Sequence, residues 1–144
     1  MLQIALADLR RLSEAAETSY PEEACALLVG RIGLGDQRRV TRLELSRNLA
    51  GDRQRRFEID PGLRIGLERE LRGGDERLIG VWHSHPDGPA APSATDLAMV
   101  YEPDLIWLIT AVAAGQAVLT LAYLPRQDGS GFRPLEILAA VPQH

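Results

Sequence analysis

The sequence predicts an α/β fold in which helices flank one mixed β-sheet. The chain has 144 residues, of which 45% are hydrophobic and 25% charged, as is usual for a globular domain. Apolar residues recur at helical spacing in some segments and form short alternating or continuous runs in others, so helices and strands are interspersed. No internal repeat or long linker divides the chain, and we expect a single domain over residues 1–144.

The N-terminal segment is predicted to be an amphipathic helix followed by two strands. Its apolar residues at helical spacing are Leu2, Ala5, Leu9, Leu12 and Ala16. Pro21 ends the helix, because the residue before a proline avoids helical geometry. The continuous apolar run at 24–29 is typical of a strand buried on both faces. A turn at 33–36 then leads to a half-exposed strand at 40–45.

The middle of the chain is predicted to hold a polar loop, a short strand and a second helix. The loop covers 47–55, and the strand lies around Phe57 and Ile59. The Asp60-Pro61 pair predicts the start of the helix, with aspartate as the cap and proline at the first helical position. Gly73-Gly74 predicts its end.

A buried strand at 78–82 is predicted to run directly into His83, and the proline-rich segment 86–92 follows it. Ser93 is then expected to open a third helix that continues through Tyr101.

The C-terminal third is predicted to contain a hairpin of two strands, 105–112 and 117–124. The turn residues between them favour a hairpin over a membrane span. A turn at 128–131 precedes a last short element at 135–141, either strand or helix.

Charge and cysteine content exclude several classes of protein. A net charge of −4 argues against a nucleic-acid binder. The N-terminus lacks the basic region of a signal peptide, so a cytoplasmic location is expected. A single cysteine, Cys25, excludes an internal disulfide and a zinc site of several thiolates. The oligomeric state is left open, with a homodimer among the possibilities.

The histidines point to a metal site. The chain has three histidines, and His144 is the last residue. The other two, His83 and His85, are two residues apart and therefore face the same side of a strand. A catalytic zinc ion (Zn2+) takes three protein ligands and keeps one position for water. Because only two histidines are available for the site, the third ligand should be a carboxylate. Asp87 and Asp96 are the candidates, and Asp96 is favoured because the proline-rich loop can fold it back over the strand end.

Simpler interpretations stand beside this one. A His-x-His pair also occurs in exposed loops, and Ser93 to Asp96 has the spacing of a helix capping box. Cys25 is conceivable as a nucleophile, although a thiol inside an apolar run is usually inert packing. For hydrolysis, a carboxylate near the metal must carry a proton. The sequence offers Glu22 and Glu23 and does not by itself choose between them.

The pattern His83-Ser84-His85, then ten intervening residues that begin with Pro86, then Asp96 resembles the JAMM motif of the MPN-domain metalloproteases, which also has a serine three residues before the aspartate, here Ser93. The segment 20–30 is similar to the stretch around that family's catalytic glutamate, which stands two residues before a cysteine. The resemblance covers most of the chain and implies the MPN (cytidine-deaminase-like) α/β architecture.

The resemblance also implies the site residues and their roles. His83, His85 and Asp96 would bind zinc, and Glu23 would be general base and then general acid. Ser93 would hydrogen-bond the oxyanion of the tetrahedral intermediate.

The chain is similar to the compact prokaryotic members of the family, because the long insertions of eukaryotic deubiquitinases are missing. Such members cleave after the C-terminal Gly-Gly of small ubiquitin-like proteins, including sulfur carriers, and this implies a zinc peptidase or isopeptidase. The alternative is a non-catalytic MPN module that binds a partner. One departure from the family is Ala26, which stands where glycine is usual and affects packing rather than the ligands.

Overall fold

The computed structural model describes residues 1–141, so His144 lies outside the described part of the chain. The strands are β1 (Leu2–Ala5), β2 (Cys25–Ile32), β3 (Arg38–Ser46), β4 (Arg77–Pro86), β5 (Ile106–Ala113), β6 (Gln116–Pro125), β7 (Phe132–Leu135) and β8 (Ile137–Ala140). The helices are α1 (Leu6–Ser19), α2 (Pro61–Leu71) and α3 (Ala94–Ala98).

All eight strands form one mixed sheet in the order β7-β6-β5-β4-β2-β3-β1-β8. At its centre β4 pairs antiparallel with β2 and parallel with β5. The prediction of an α/β fold with a mixed sheet and flanking helices is confirmed. The central position of β4 brings the end of the strand that carries both histidines next to the beginning of β2.

Hydrophobic cores cover both faces of the sheet. On one face Leu12 of α1 packs with Leu28 and Trp82, and on the other Leu67 of α2 packs with Leu27 of β2. Successive residues of β2 therefore enter different cores, which explains why this strand is apolar at nearly every position. The predicted two-sided burial of 24–29 is confirmed.

The first helix begins at Leu6 rather than at Leu2, which corrects the prediction. Leu2 and Ile4 are both fully buried, and the residues between them face the other way, so 2–5 form a strand. That strand lies between β3 and β8 and is parallel to both. The spacing of apolar residues in 2–5 is compatible with a helix and with a strand. Pairing with β3 and β8, which are distant in the chain, stabilises the strand.

Two shorter elements also differ from the prediction. The expected strand around Phe57 and Ile59 is reduced to one bridge between Ile59 and Asn48. The third helix ends at Ala98 instead of Tyr101, because Met99 and the residue after it turn into the core beside α2.

One further strand, β7, was not predicted, whereas the other elements agree with the expectations. Asp60 caps α2 by accepting a hydrogen bond from the amide of Gly62 (2.9 Å), and Pro61 is its first residue. The hairpin is formed by β5 and β6, and the last element is a strand, β8. Within residues 1–141, none of the helices has the length and apolar character needed to cross a membrane.

We expect Gly30→Ala to destabilise the fold. A Cβ at Gly30 would lie 1.8 Å from the carbonyl oxygen of Arg39 and 2.8 Å from the side chain of Ile79. Relieving this overlap requires the strands to move apart, at a cost of about 1–3 kcal/mol in the free energy of unfolding. Urea or thermal denaturation measures it.

Gly66→Ala is the matched control, because nothing lies within 4 Å of a Cβ at this position in α2. Alanine favours the helix over glycine by about 1 kcal/mol, so this variant should be more stable. A Gly30→Ala protein as stable as the unmodified chain would contradict the prediction.

Candidate metal centre and active site

His83 and His85 lie at the end of β4 and face the same side of the sheet as α2. Their Nε2 atoms are 2.9 Å apart. Both rings are buried, with exposed fractions of 0% for His83 and 9% for His85. The histidine pair is therefore an interior feature and not a pair of exposed loop residues.

Asp96, in the first turn of α3, reaches both imidazoles. Its Oδ2 lies 3.2 Å from Nε2 of His83 and 3.1 Å from Nε2 of His85. The same oxygen accepts a hydrogen bond from the amide of Ser93 (2.9 Å), while the amide of Asp96 donates to Ser93 Oγ (3.0 Å). The capping box and the approach to the histidines thus coexist, because Oδ2 accepts the hydrogen bond from the Ser93 amide and still lies within 3.2 Å of both imidazoles.

Asp87, the other candidate for a third ligand, is turned away from the histidines. Its carboxylate accepts hydrogen bonds from the hydroxyl of Tyr20 (2.6 Å) and the amide of Ala114 (3.0 Å). The structure therefore separates the two aspartates and brings only Asp96 to the imidazoles.

The hydrogen-bond chemistry of this cluster suits a cation. Nδ1 of His85 donates its hydrogen to the carbonyl of Pro89 (2.8 Å), so Nε2 of a neutral His85 carries only a lone pair. That lone pair faces Nε2 of His83 and Oδ2 of Asp96. Ligand atoms of a tetrahedral zinc site lie about 3.3 Å apart at the usual bond lengths. The two nitrogens and one oxygen fit zinc in type and in spacing.

Burial and mutual contact shift the titration of these groups. Burial alone raises the pKa of Asp96, but the hydrogen bonds with His83 and His85 outweigh it and hold that pKa well below its ordinary value. Burial alone lowers the pKa of His85, whereas contacts with Asp96 and Pro89 raise it overall. The pKa of His83 is lowered, because burial dominates there. A metal ion and a proton therefore compete for Nε2 of His85.

Glu23 stands beside the histidines without bonding to them. It precedes Cys25 by two residues, and Cys25 pairs with His83 across the sheet, so Glu23 shares their face. Ligand atoms of Glu23, His83 and His85 lie within 4.8 Å of one another. The carboxylate is 4% exposed, and its Oε1 has no hydrogen-bond partner among residues 1–141.

The environment of Glu23 favours its protonated form. Burial is the largest cause and raises the pKa to about 8; a positive His85 opposes the rise, and the charges of Asp96 and Asp52 add to it. A buried carboxylate with such a pKa can both accept and release a proton near neutral pH. Glu22 differs, because it is partly exposed and pairs with Arg53 at 3.1 Å.

Ser84 joins the two strands that carry the site. Its hydroxyl accepts a hydrogen bond from the amide of Ala24 (2.8 Å), and its own amide donates to the carbonyl of Ala24 (3.0 Å). The residue between the histidines therefore fixes the backbone next to Glu23. No local sequence pattern points to this partner of Ser84, because it lies sixty residues away in the chain.

Two aromatic residues of the site were missed by sequence reasoning. Phe57 stacks on the ring of His83 with centroids 4.3 Å apart, and Trp107 meets the same ring edge-on at 5.5 Å. Since Nδ1 of His83 has no hydrogen-bond partner within residues 1–141, packing against these rings orients it. The one clue in the sequence is that Phe57 is an isolated aromatic residue after an arginine-rich loop.

Cys25 is unsuited to nucleophilic catalysis. It is 1% exposed, and burial raises the pKa of its thiol to about 12. Its Sγ lies near the carbonyl oxygens of Ser46 (3.8 Å) and Arg47 (3.7 Å). A thiol held in this way stays protonated and serves as packing.

Comparison with known proteins supports the resemblance seen in the motif. The model of the family Prok-JAB, described as prokaryotic homologs of the JAB domain, matches residues 6–122. The chain belongs to this family.

Two curated proteins illustrate what this Prok-JAB protein is similar to. A desampylase from Haloferax volcanii is 30% identical over 101 residues, which are 70% of each chain. A CysO-cysteine peptidase from Mycobacterium tuberculosis is 29% identical over 97 residues. That match covers 65% of this chain and 62% of the peptidase, which is less than two thirds of the relative's length.

Solved structures share the fold of this Prok-JAB protein. A protein from Desulfitobacterium hafniense, 29% identical, matches with a TM-score of 0.84 over 99% of this chain and 94% of its own. A JAB1/MPN domain protein from Archaeoglobus fulgidus matches with a TM-score of 0.59 at 20% identity, covering 98% and 99% of the two chains. The second similarity concerns the fold alone.

Proposed function

We propose that this Prok-JAB protein is a zinc-dependent peptidase or isopeptidase. Its substrate would be a small ubiquitin-like protein of the sulfur-carrier type, cut after its C-terminal Gly-Gly. The observation that carries the proposal is the meeting of two imidazoles and the Asp96 carboxylate within 3.2 Å. Next to them lies the buried carboxylate of Glu23, whose Oε1 has no hydrogen-bond partner in the described part of the chain. The names of the two relatives, a desampylase and a CysO-cysteine peptidase, support the substrate class.

We assign the two buried carboxylates different roles. Asp96 touches both imidazoles and has a lowered pKa, so it is the third ligand. Glu23 has a raised pKa and no hydrogen bond to either ring, so it is the proton carrier. Environments that push two pKa values apart in this way are typical of acid–base catalysis.

The residues of the chain would divide the work of hydrolysis among them. His83, His85 and Asp96 would hold the zinc ion, and bound zinc would supply a Lewis acid that polarises a carbonyl group and makes water more acidic. Glu23 takes a proton as the water oxygen bonds to the carbonyl carbon of the last glycine. It then gives that proton to the leaving amine as the carbon–nitrogen bond breaks.

Ser93 is placed to stabilise the oxyanion of the intermediate. Its Oγ accepts from the Asp96 amide, and its hydroxyl hydrogen has no partner among the described residues. Hydroxyl groups accept and donate at once, so the cap leaves this hydrogen free to be donated to the oxyanion.

Two grooves lined by residues of the site or by their neighbours suit an extended substrate tail. One is lined by Phe57 and Trp107, which contact His83, and the other by Ser93 and Phe132. A Gly-Gly segment has no side chains and is therefore thin enough to lie in such a groove. The cytoplasmic location stays a prediction.

The test is incubation of the zinc-loaded protein with small β-grasp carriers that bear peptide extensions after Gly-Gly, followed by mass spectrometry. We expect cleavage after the second glycine, loss of cleavage with a chelator, and loss with carriers in which Gly-Gly is replaced by Val-Val. Binding of a carrier without any cleavage would favour the alternative, a non-catalytic MPN module, and would contradict the proposal.

Ser93→Ala is expected to lower kcat by about 10²–10³-fold, the usual cost of removing one oxyanion donor. It also removes a helix cap, worth about 0.5–2 kcal/mol of stability. Ser93→Thr is the control, since threonine keeps both the cap and the donor and should retain activity within a few-fold. If Ser93→Ala changed the melting temperature but left kcat unaltered, Ser93 would be a cap only.

A further inference from the structure

The loop between β3 and α2, residues 47–59, holds the backbone of Glu23 from both sides. The amide of Glu23 donates to the carbonyl of Arg53 (2.7 Å), and the side chain of Asn48 donates to the carbonyl of Glu23 (3.0 Å). Both polar groups of this residue's backbone are therefore fixed by one loop, whereas Oε1 of its carboxylate has no hydrogen-bond partner among the residues that the structure describes.

The side-chain amide of Asn48 stabilises this loop and uses every hydrogen-bonding position it has. Besides the bond to Glu23, its Nδ2 donates to the carbonyl of Arg56 (3.0 Å). Its Oδ1 accepts from the amides of Ala50 (3.0 Å) and Glu58 (3.0 Å). A primary amide has two donor hydrogens and two acceptor lone pairs, and here all four are used.

Two hydrogen bonds of Asn48 hold the residues on either side of Phe57, which packs against His83. Arg56 and Glu58 are the neighbours of Phe57, which stacks on His83 with centroids 4.3 Å apart. One side chain thus joins the backbone of Glu23 to the segment that orients the His83 ring. Within residues 1–141 no hydrogen bond connects the carboxylate of Glu23 with the imidazole. The distance between them is therefore set through the backbone, by this link together with the Ser84–Ala24 hydrogen bonds.

We propose that Asn48 is a positioning residue, which sets the place of Glu23 relative to His83. The inference rests on the proposed function for its effect on catalysis, although the positioning itself is a property of the fold. Asn48 touches no reacting atom, and it acts through the backbone of Glu23 and through Phe57. An aspartate here would keep the size and the acceptor oxygen but would turn both donated hydrogen bonds into repulsion between oxygen atoms.

The structural half of the test is amide hydrogen exchange of Asn48→Asp, followed by NMR without added metal. We expect the amide of Glu23 to exchange at least ten-fold faster, while the amide of Leu28 in the core keeps its protection. Gln54→Glu is the matched control, because it makes the same amide-to-carboxylate change at an exposed position of the same loop. Unchanged exchange at Glu23 in folded Asn48→Asp would overturn the inference.

The catalytic half compares kcat and KM of the zinc-loaded variants on the carrier that the unmodified protein cleaves. Asn48→Asp should lower kcat at least ten-fold with KM within two-fold and zinc content unchanged, and Gln54→Glu should match the unmodified protein. A kcat unaltered by Asn48→Asp, or a loss confined to KM, would overturn the inference. If Asn48→Asp does not fold, Asn48→Ala takes its place, since water can then reach the freed carbonyl groups.

The two halves separate this inference from the proposed function. If the unmodified protein cleaves no carrier, the proposed function fails, and the exchange of the Glu23 amide still decides whether Asn48 fixes the backbone. If the unmodified protein cleaves and Asn48→Asp cleaves equally fast, the proposed function stands and the inference fails.

Discussion

Glu23→Gln is expected to lower kcat by about 10²–10⁴-fold, the range contributed by a positioned general acid–base group. Glutamine has the size of glutamate but cannot accept a proton from water or return one to an amine. Because Asp96 and not Glu23 contacts the imidazoles, zinc binding should be unaffected. Steady-state kinetics and metal analysis of the same preparation measure both quantities.

The neighbouring carboxylate provides the control for this prediction. Glu22→Gln makes the same chemical change one residue away, at a partly exposed side chain whose partner is Arg53. It should retain kcat within about two-fold, because surface ion pairs contribute little. If Glu23→Gln stayed active, or if it lost its zinc, the role of proton carrier would be wrong.

Asp96→Asn is expected to weaken zinc binding by more than about 100-fold and to abolish turnover at ordinary zinc concentrations. Its effect should exceed the 10–100-fold that is typical of losing a residue that only supports a ligand. Asparagine keeps the size of the side chain and an oxygen that can accept from the amide of Ser93, so α3 should still form. Competition with a chelator of known affinity measures the change.

Asp87→Asn is the matched control, since this aspartate, in the loop between β4 and α3, bonds Tyr20 and Ala114 instead of the imidazoles. Its zinc affinity should equal that of the unmodified protein. Equal affinities of Asp87→Asn and Asp96→Asn would refute the assignment of the third ligand.

The zinc affinity of the unmodified protein should rise with pH, because a proton on His85, whose pKa is raised overall by Asp96, must leave before metal binds.

The start of the chain shows where sequence patterns are ambiguous. Leu2 fits the helical spacing of α1 and equally the alternation of a strand, and its pairing with β3 and β8 lies thirty and more residues away. By contrast, the helix opened by Asp60 was predicted with its cap, because capping depends only on neighbouring residues.

The sequence by itself determined which chemistry is available. The single cysteine limits the possible sites. The side that His83 and His85 share and the motif around Asp96 can be read from the sequence, because strand periodicity and turn chemistry act over a few residues. The resemblance to the JAMM motif pointed to Asp96 and Glu23, but only the tertiary structure shows how these carboxylates approach the imidazoles and how they are held. Without that resemblance, the choice of Glu23 over Glu22 depends on which face of β2 carries the site, and the sequence does not show this because both faces of that strand are buried. Asn48 and Phe57 join the site through contacts between segments far apart in the chain, which no local pattern encodes.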